Sequence, residues 1–404
     1  QVLGRVDYQT DRSKIYGRYF YSRYMIDPVM GTNTDLLKAT IGYRYLNQGF
    51  AANHSYTFSP TILNSFQVAY NRNDTYLLSG APFTLSDLGV NVAAPKDVKE
   101  IRMSVAGYFG FNTSRPAPVE RRSTQFSDTL YFQRDRHQIS IGGEMMRMRA
   151  YNGNPYRTVG FFTFRSKGSL GTTNALADFM LGSLDQFVQG GGEFGTRAYW
   201  SRSLFVQDNY RLLPNLTLNL GLRWDPYTPP TEIDNKTSCW APGEQSKRYP
   251  NAPLGYIYGG DAGCPDGGST SHWGQIAPRF GFAYNVGGAG RTTVRGGIGL
   301  SYQPPFLEAF NQMNATAPYS PQINLVRSQH KTMNFGDPYG STGTPNPFPA
   351  GFGPKIPGAD ATFTLPVVAV SYSHDWRPSQ VWTWNLTVER QLARDLMARV
   401  GYAG

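Results

Sequence analysis

The sequence predicts an all-β fold, an antiparallel transmembrane β-barrel of which about 12–14 strands are present, with short periplasmic turns and long extracellular loops. Three observations carry this prediction. Candidate strands alternate apolar and polar residues, short turns and long loops follow each other regularly, and the composition combines few charges with many aromatic residues. Together they favour a barrel that is apolar outside and polar inside.

The clearest strand runs from Leu216 to Trp224. Leucine or tryptophan occupies every second position, and Thr217, Asn219 and Arg223 are among the residues between them. Strict alternation indicates a β-strand, because successive side chains point to opposite faces of a sheet. About nine residues at about 3.3 Å each, tilted by about 40°, cross roughly 23 Å, close to the apolar band of a membrane barrel at roughly 25 Å. Taken alone, the stretch fits a hairpin of a soluble sandwich or solenoid equally well.

Six hairpins with short turns are predicted along the chain. They join residues 2–9 to 15–24, 50–58 to 62–71, 122–133 to 137–150, 200–212 to 216–224, 275–286 to 292–302, and 381–392 to the residues after the turn at 393–395. Between the hairpins lie several loops longer than about 15 residues, which are uncommon in compact soluble domains. Because turns and loops alternate, all long loops emerge on one side of the sheet, as in bacterial outer-membrane barrels.

The composition argues against several classes of protein. Charged residues make up 16% of the chain, against roughly 25% in soluble domains, and aromatic residues make up 14%. The mean hydropathy is −0.42. No apolar stretch reaches the roughly 18 residues of a spanning helix, which argues against a helical membrane bundle. The net charge of +10 comes from 38 dispersed Lys and Arg residues without a basic run, so nucleic-acid binding is not expected.

Two ordered features are predicted within the loops. Cys239 and Cys264 lie in one long loop rich in Gly and Pro. This placement favours a disulfide in an oxidising compartment over two free thiols. Residues 174–182 have the pattern of a short helix, with Thr or Asn as the N-cap and Gly182 at its end.

Asp208 conflicts with the predicted apolar row of its strand. It shares the parity of Leu204 and Val206, as does Arg202. Pairing through the hairpin turn places Asp208 near Leu220, and a lipid-facing charge at mid-bilayer costs up to about 2–4 kcal/mol for Arg or Lys and less for Asp. We therefore expect a β-bulge, or a shift that turns Asp208 inward. The direction in which Arg202 points is left open.

The sequence contains no pattern typical of a catalytic or metal site. The five histidines are isolated, and no set of residues supplies a nucleophile, a base and an oxyanion site. His374 and Asp375 either contact a ligand or anchor a loop. We therefore expect no enzymatic activity, no cofactor and no metal.

Four segments resemble motifs of TonB-dependent outer-membrane receptors, and in particular of the Oar-like branch. They are, in chain order, 175–182 (ALADFMLG), 204–224 (with LFVQDNY and LTLNLGLRW), 278–299 (with PRFGFAY and TVRGGIG) and 384–392 (WNLTVERQL). The second resembles the QD…LTLNLGLRY strand pair of that family, and the third its PRxGFAY…VRGGYG hairpin. Each motif is moderately specific, and their common order is more so.

The resemblance implies that residues 1–404 are a single barrel segment of a larger receptor. Barrels of this family have about 22 strands, a plug domain in the lumen, and an N-terminal box that contacts the TonB protein. The plug and the TonB box are expected outside this chain. The implied location is the outer membrane of a Gram-negative-type bacterium, in contact with outer-membrane lipid and lipopolysaccharide.

The expected function is capture of a scarce solute at the external loops, followed by active uptake through the lumen. The solute is left open among oligosaccharides, siderophores and peptides. Parity predicts twelve residues that line the lumen: Ser201, Ser203, Gln207, Asn209, Arg211, Thr217, Asn219, Arg223, Asp225, Arg279, Asn385 and Glu389. External binding is expected at Tyr256, Tyr258, Trp273, Phe306 and Tyr319. The alternatives are a non-transporting surface, adhesion or secretion-associated barrel, and a passive porin.

Overall fold

The computed structural model describes residues 1–29, 41–95, 98–113, 116–166, 171–288, 290–303, 307–348, 351–353, 355–363, 365–367 and 369–404. The strands are β1 (Val2–Gln9), β2 (Ser13–Ile26), β3 (Gly42–Ser59), β4 (Ile62–Leu78), β5 (Arg102–Val105), β6 (Phe109–Asn112), β7 (Ala117–Arg134), β8 (His137–Asn154), β9 (Phe161–Phe164), β10 (Gln186–Gly190), β11 (Glu193–Leu213), β12 (Leu216–Trp224), β13 (Thr231–Glu232), β14 (Ser238–Trp240), β15 (Tyr256–Tyr258), β16 (Ile276–Asn285), β17 (Thr292–Tyr302), β18 (Gln322–Val326), β19 (Gln380–Ala393) and β20 (Leu396–Ala403).

The helices are short. They are α1 (Ala175–Met180), α2 (Leu307–Asn311) and α3 (Pro338–Thr342), with 3-10 turns at Ser86–Leu88, Asp266–Gly268, Val286–Gly288, Gln312–Ala315 and Arg327–Gln329. Within the described ranges, no helix combines the length and the apolar character needed to span a membrane.

One large antiparallel sheet contains most of the ordered chain. Its strands follow the order β1-β2-β3-β4-β7-β8-β11-β12-β16-β17-β19-β20, and β13 pairs separately with β11. These are the six predicted hairpins, with their turns at or beside the predicted residues. Within the described residues, β1 and β20 do not pair with each other, so the sheet has two free edges.

The two faces of this sheet differ in chemistry. One face, here called the apolar face, carries Leu204, Leu220, Phe280 and Ile298, whose exposed fractions are 56%, 41%, 45% and 46%. The opposite, polar face carries residues of the other parity, such as Asn219. Side chains of a soluble sandwich would bury the apolar row against a second sheet. The exposure of this row therefore argues against the soluble alternative.

Asp208 lies on the apolar face, within a regular ladder. It pairs with Leu220 on β12, as predicted, and with Ile139 on β8, and the register shift of the β11–β12 hairpin lies closer to the turn. The predicted bulge or inward shift at Asp208 is therefore wrong. The carboxylate is instead 2.6 Å from Nδ1 of His137, on the neighbouring strand. His137 therefore supplies a hydrogen-bonding partner for this carboxylate across the β8–β11 ladder.

The long loops form a second ordered body, here called the loop layer. It contains a five-stranded sheet in the order β18-β10-β9-β5-β6, in which β5 and β9 are parallel. Phe162 and Phe187 are fully buried in its core. The predicted short helix is confirmed as α1, where Asn174 accepts hydrogen bonds from the N–H groups of Leu176 and Ala177.

Candidate functional site

A polar network centred on Arg223 occupies the loop end of the polar face. Arg223 donates from Nη2 to Oγ of Ser203 at 2.7 Å and from Nε to Oδ1 of Asp225 at 2.7 Å. Its Nη2 also lies 3.4 Å from Oε2 of Glu144. One guanidinium therefore links three neighbouring strands, because β8, β11 and the end of β12 each place one polar residue against it.

A cavity of about 290 Å³, here called the upper cavity, opens beside this network. Ser201, Arg223, Asp225 and Arg279 line it, together with loop residues such as Tyr227 that follow the strand ends. Tyr227 is buried, and its hydroxyl is 3.0 Å from Oγ of Ser269. Guanidinium, carboxylate, hydroxyl and phenol groups therefore meet at one opening, which suits a polar solute better than an apolar one.

A second cavity, here called the lower cavity, lies at the turn end of the same face. Its volume is about 760 Å³, and its lining includes Gln207 and Asn209 with Phe205 and Tyr131. Tyr131 lies on β7, and Phe205, Gln207 and Asn209 lie on β11. Phe205 pairs with Gly142 of the intervening strand β8, and its ring occupies the space that a side chain at position 142 would take. The polar face therefore offers two separate spaces rather than one continuous site.

The structure brings together only some of the twelve predicted lumen residues. Strand pairing places the row on the polar face, as the pairs of Asn209 with Asn219 and of Arg211 with Thr217 show. Four members line the upper cavity and two line the lower one. Asn385 and Glu389 lie on β19, beyond the residues that line either cavity. That these residues line a path for a solute remains a prediction.

The Cys loop, residues 225–275, is held by a disulfide and a buried carboxylate. Cys239 and Cys264 are joined, as predicted. Oδ2 of Asp261 accepts hydrogen bonds from Ser246 Oγ at 2.6 Å and from the N–H of Tyr258 at 2.9 Å, while Oδ1 accepts from two further backbone N–H groups. Burial raises the pKa of Asp261, but these hydrogen bonds outweigh burial and hold the pKa below its ordinary value.

The predicted external binding aromatics divide into two groups. Tyr258 is fully buried and packs edge-to-face with Tyr249 inside the Cys loop, so the prediction that Tyr258 contacts a solute is wrong. Tyr319 lies in the connection between β17 and β19, where it packs edge-to-face with Tyr249 and lines a cavity of about 680 Å³. Contact of Tyr319 with a solute stays a prediction. Trp273 is 56% exposed and remains accessible. Tyr256 is half-buried against Trp240, and the remaining predicted aromatic, Phe306, lies outside the described residues.

Parity reasoning missed several residues of the site, including Glu144 and Tyr199. Glu144 contacts Arg223, and Tyr199 lines the upper cavity. Both lie on the polar face, since Glu144 pairs with Ser203 and Tyr199 with Met148. The alternation of inward and outward side chains, extended along β8 and along the part of β11 nearest the long loops, identifies both residues from the sequence.

His374 anchors its loop through the backbone, and contact of its ring with a ligand stays a prediction. The carbonyl oxygen of His374 accepts a hydrogen bond from the N–H of Thr270 at 2.6 Å, while the ring is 63% exposed beside Asp375. Among the described residues, no group of three or more His, Cys, Asp or Glu side chains is arranged to hold a metal ion.

Comparisons with known proteins agree with this architecture. A family profile described as an outer membrane beta barrel domain matches residues 1–404. The outer membrane transporter YddB from Escherichia coli matches with a TM-score of 0.53 and 10% identity, over 99% of this chain and 39% of that protein. The siderophore receptor PirA from Acinetobacter baumannii matches with a TM-score of 0.47 and 14% identity, over 99% and 42%. No curated protein matches the chain in sequence.

The chain belongs to the outer membrane beta-barrel domain family. The predictions of a barrel fold and of an outer-membrane location are thereby confirmed, and the family is one of membrane barrels rather than of enzymes. The chain spans 39% of the length of YddB, with which it shares the fold. Because the family is one of membrane barrels, the apolar face is the surface that meets lipid, and the polar face lines the interior.

The orientation of the two faces predicts effects of different size for substitutions on the same strand. Leu222 lies six positions after the start of β12 on the apolar face, and its partners there, Val206 and Pro278, carry no charge. We expect Leu222→Arg to lower the free energy of unfolding by about 2–4 kcal/mol, because the charge faces hydrocarbon. Asn219→Arg, on the polar face of the same strand, is expected to lower it by less than about 1 kcal/mol. Equilibrium urea unfolding of the full-length protein in bilayers measures both, and equal effects would contradict the assignment of the faces.

Proposed function

We propose that this chain is the barrel portion of an outer-membrane receptor that captures a scarce solute at its external loops for TonB-dependent uptake through the lumen. The observation that carries the proposal is the upper cavity. It lies on the polar face where the strands pass into the loops, and charged, hydroxyl and phenol groups line it. A solute that leaves the loops towards the lumen meets these groups first.

Residues 1–404 are, in this proposal, a single barrel segment of a larger receptor whose plug and TonB box lie outside the chain. The free edges of β1 and β20 support it. Unpaired backbone N–H and C=O groups in hydrocarbon are costly, so further strands have to cover both edges in a membrane. The match over only 39% of YddB agrees with a partial barrel. The plug then provides the contact with the TonB protein.

The chemistry of the upper cavity favours a polar solute that carries hydroxyl or charged groups. Arg223 and Arg279 offer donors that suit carboxylates and catecholates, while Asp225 and Glu144 accept hydrogen bonds from hydroxyl and amino groups. Oligosaccharides, siderophores and peptides all meet these requirements. The cavity therefore restricts the solute to these polar classes without selecting one.

Uptake by cells tests the proposal. Cells that produce the full-length protein receive a labelled ferric catecholate siderophore, a labelled oligosaccharide and a labelled peptide. We expect one of them to accumulate only when TonB is present and the inner membrane is energised. In the double variant Arg223→Gln/Arg279→Gln, uptake of that solute is expected to fall at least tenfold, because the guanidinium donors of Arg223 and Arg279 are lost from the upper cavity.

The control is Arg394→Gln, which removes an exposed arginine from the turn between β19 and β20. Its uptake is expected to equal that of the unmodified protein. Accumulation that persists without TonB would contradict the proposal and favour a passive pore. An unchanged rate in the double variant would show that the upper cavity takes no part.

The second candidate is a non-transporting surface, adhesion or secretion-associated barrel. The observation in its favour is that the loops carry large exposed apolar side chains, with Trp240 at 51% and Leu254 at 63% exposure. Exposed apolar residues on an ordered surface suit contact with another macromolecule. This candidate predicts surface binding that is independent of TonB and of Arg223.

A further inference from the structure

The loop end of the apolar face carries three arginines side by side, here called the arginine row. Arg72 on β4 pairs directly with Arg122 on β7, and Arg122 pairs directly with Arg149 on β8. They share the parity of Phe66 and Phe126, which lie nearer the turns and are each 41% exposed. The three guanidinium groups therefore extend from the lipid-facing surface. Like charges directly opposite each other destabilise a sheet, unless an anion lies against them.

The carboxylates next to the arginine row do not balance it. Arg72 is 2.5 Å from Asp74, and Arg122 is 2.7 Å from Glu120, in both cases along one strand. These pairs are partly exposed and contribute little stability. None of the ion pairs found between described residues includes Arg149, which is exposed. The row therefore contains three guanidinium groups and two carboxylates, which leaves a net positive charge.

More arginines extend the row on both sides. Towards β2, Arg23 and Arg44 line a cleft of about 320 Å³ together with three tyrosines and the two carboxylates of the row. Towards β11, Arg147 and Arg202 lie on the apolar face 5.5 Å and 5.4 Å from the ring of Trp200. A belt of arginine and aromatic side chains therefore runs across the outer surface from β2 to β11.

The belt lies at the height of the outer-leaflet headgroups. Arg72 is ten positions after Ile62, the first residue of β4. At about 3.3 Å per residue and a tilt of about 40°, it stands about 25 Å above the turn, at the outer edge of the apolar band. Arg122 is twelve positions before Arg134, the last residue of β7, and so stands about 30 Å above its turn.

We infer that the arginine row and its adjoining cleft bind the phosphate groups of an anionic glycolipid of the outer leaflet, lipopolysaccharide. Guanidinium groups form bidentate hydrogen bonds with phosphate oxygens, and their stems can lie along apolar surface. The acyl chains of the lipid then cover the apolar face below the row. This inference rests on the outer-membrane location and is independent of what the protein transports.

Native mass spectrometry of the full-length protein in detergent tests the inference, with bisphosphorylated lipid A and dephosphorylated lipid A as probes. We expect the unmodified protein to bind the phosphorylated lipid at least tenfold more tightly. The triple variant Arg72→Gln/Arg122→Gln/Arg149→Gln is expected to lose that preference. Equal binding of both lipids by the unmodified protein, or an unchanged preference in the triple variant, would overturn the inference.

A charge-matched control separates the row from general basicity. Arg18→Gln/Arg121→Gln/Arg295→Gln removes three arginines from the polar face and is expected to keep the preference. A similar loss in this control would show that net charge alone attracts the lipid, and would also overturn the inference. If the glutamine variant of the row fails to fold, the lysine variant at the same three positions retains charge without bidentate geometry. Its preference is expected to fall at least threefold.

Discussion

Replacing Arg327 with methionine is expected to destabilise the loop layer by about 3–5 kcal/mol, because the replacement leaves a buried carboxylate without its counter-charge. Nη1 of Arg327 lies 2.9 Å from Oδ2 of Asp178, and the two side chains are 4% and 0% exposed. Arg327 also donates to the carbonyl oxygens of Ser183 and Leu184. Hydrogen exchange of the amides in α1 and β18 measures the change in local unfolding free energy.

Two comparisons sharpen this prediction. Arg157→Met removes an arginine that donates to Gln322 in the same layer and leaves no carboxylate behind, so it is expected to cost about 1 kcal/mol. The double variant Asp178→Leu/Arg327→Met is expected to recover much of the loss, because neither charge remains buried. A double variant no more stable than Arg327→Met would contradict the explanation by an unpaired charge.

The same pair makes the loop layer sensitive to acid. Burial raises the pKa of Asp178, but hydrogen bonds from Thr172 and Arg327 outweigh burial and hold the pKa below its ordinary value. A carboxyl group with a lowered folded-state pKa stabilises the fold above its unfolded pKa of about 4. That contribution is lost as the pH falls through the lowered value.

Removing the disulfide of the Cys loop is expected to lower the local unfolding free energy of that loop by about 3 kcal/mol. The bridge joins Cys239 to Cys264 across 25 positions, and without it the unfolded loop gains the conformational freedom of that segment. The variant is Cys239→Ser/Cys264→Ser, and the measurement is hydrogen exchange of the paired strands β14 and β15. Exchange in β11 and β12 serves as the internal control and is expected to stay unchanged.

Reduction of the unmodified protein should reproduce the effect of the double serine variant. If both leave exchange in β14 and β15 unchanged, the hydrogen bonds to Asp261 and the tyrosine cluster around Tyr249 hold the loop without the bridge. Protection lost in the variant but retained after reduction would instead point to a defect caused by the serines.

The hairpins were predictable because alternation and turn chemistry are local properties. The positions at which the strands end, on the side of the long loops, were not predictable. β4 extends to Leu78 and β8 to Asn154, beyond the predicted ends at residues 71 and 150. Above the apolar band both faces of these strands are polar, as Arg72 and Asn73 illustrate. The periodic signal therefore ends before the hydrogen-bonded ladder does.

The loop layer could not be predicted, because its strands are short and their partners are distant in sequence. β9 contains four residues, and Gln186 of β10 pairs with Val326 of β18. The alternation along the strands also predicted which residues lie on the polar face, but not which of these residues converge at one cavity. That depends on strand register and on residues that follow the strand ends, such as Tyr227.

The loop layer has a consequence for how the outer mouth of the protein can move. β5 and β6 belong to the connection between β4 and β7, β9 and β10 to the connection between β8 and β11, and β18 to the connection between β17 and β19. Because these strands share one hydrogen-bonded sheet, displacement of one connection either carries the other two or breaks the sheet. The three connections therefore form one mechanical unit rather than three independent loops.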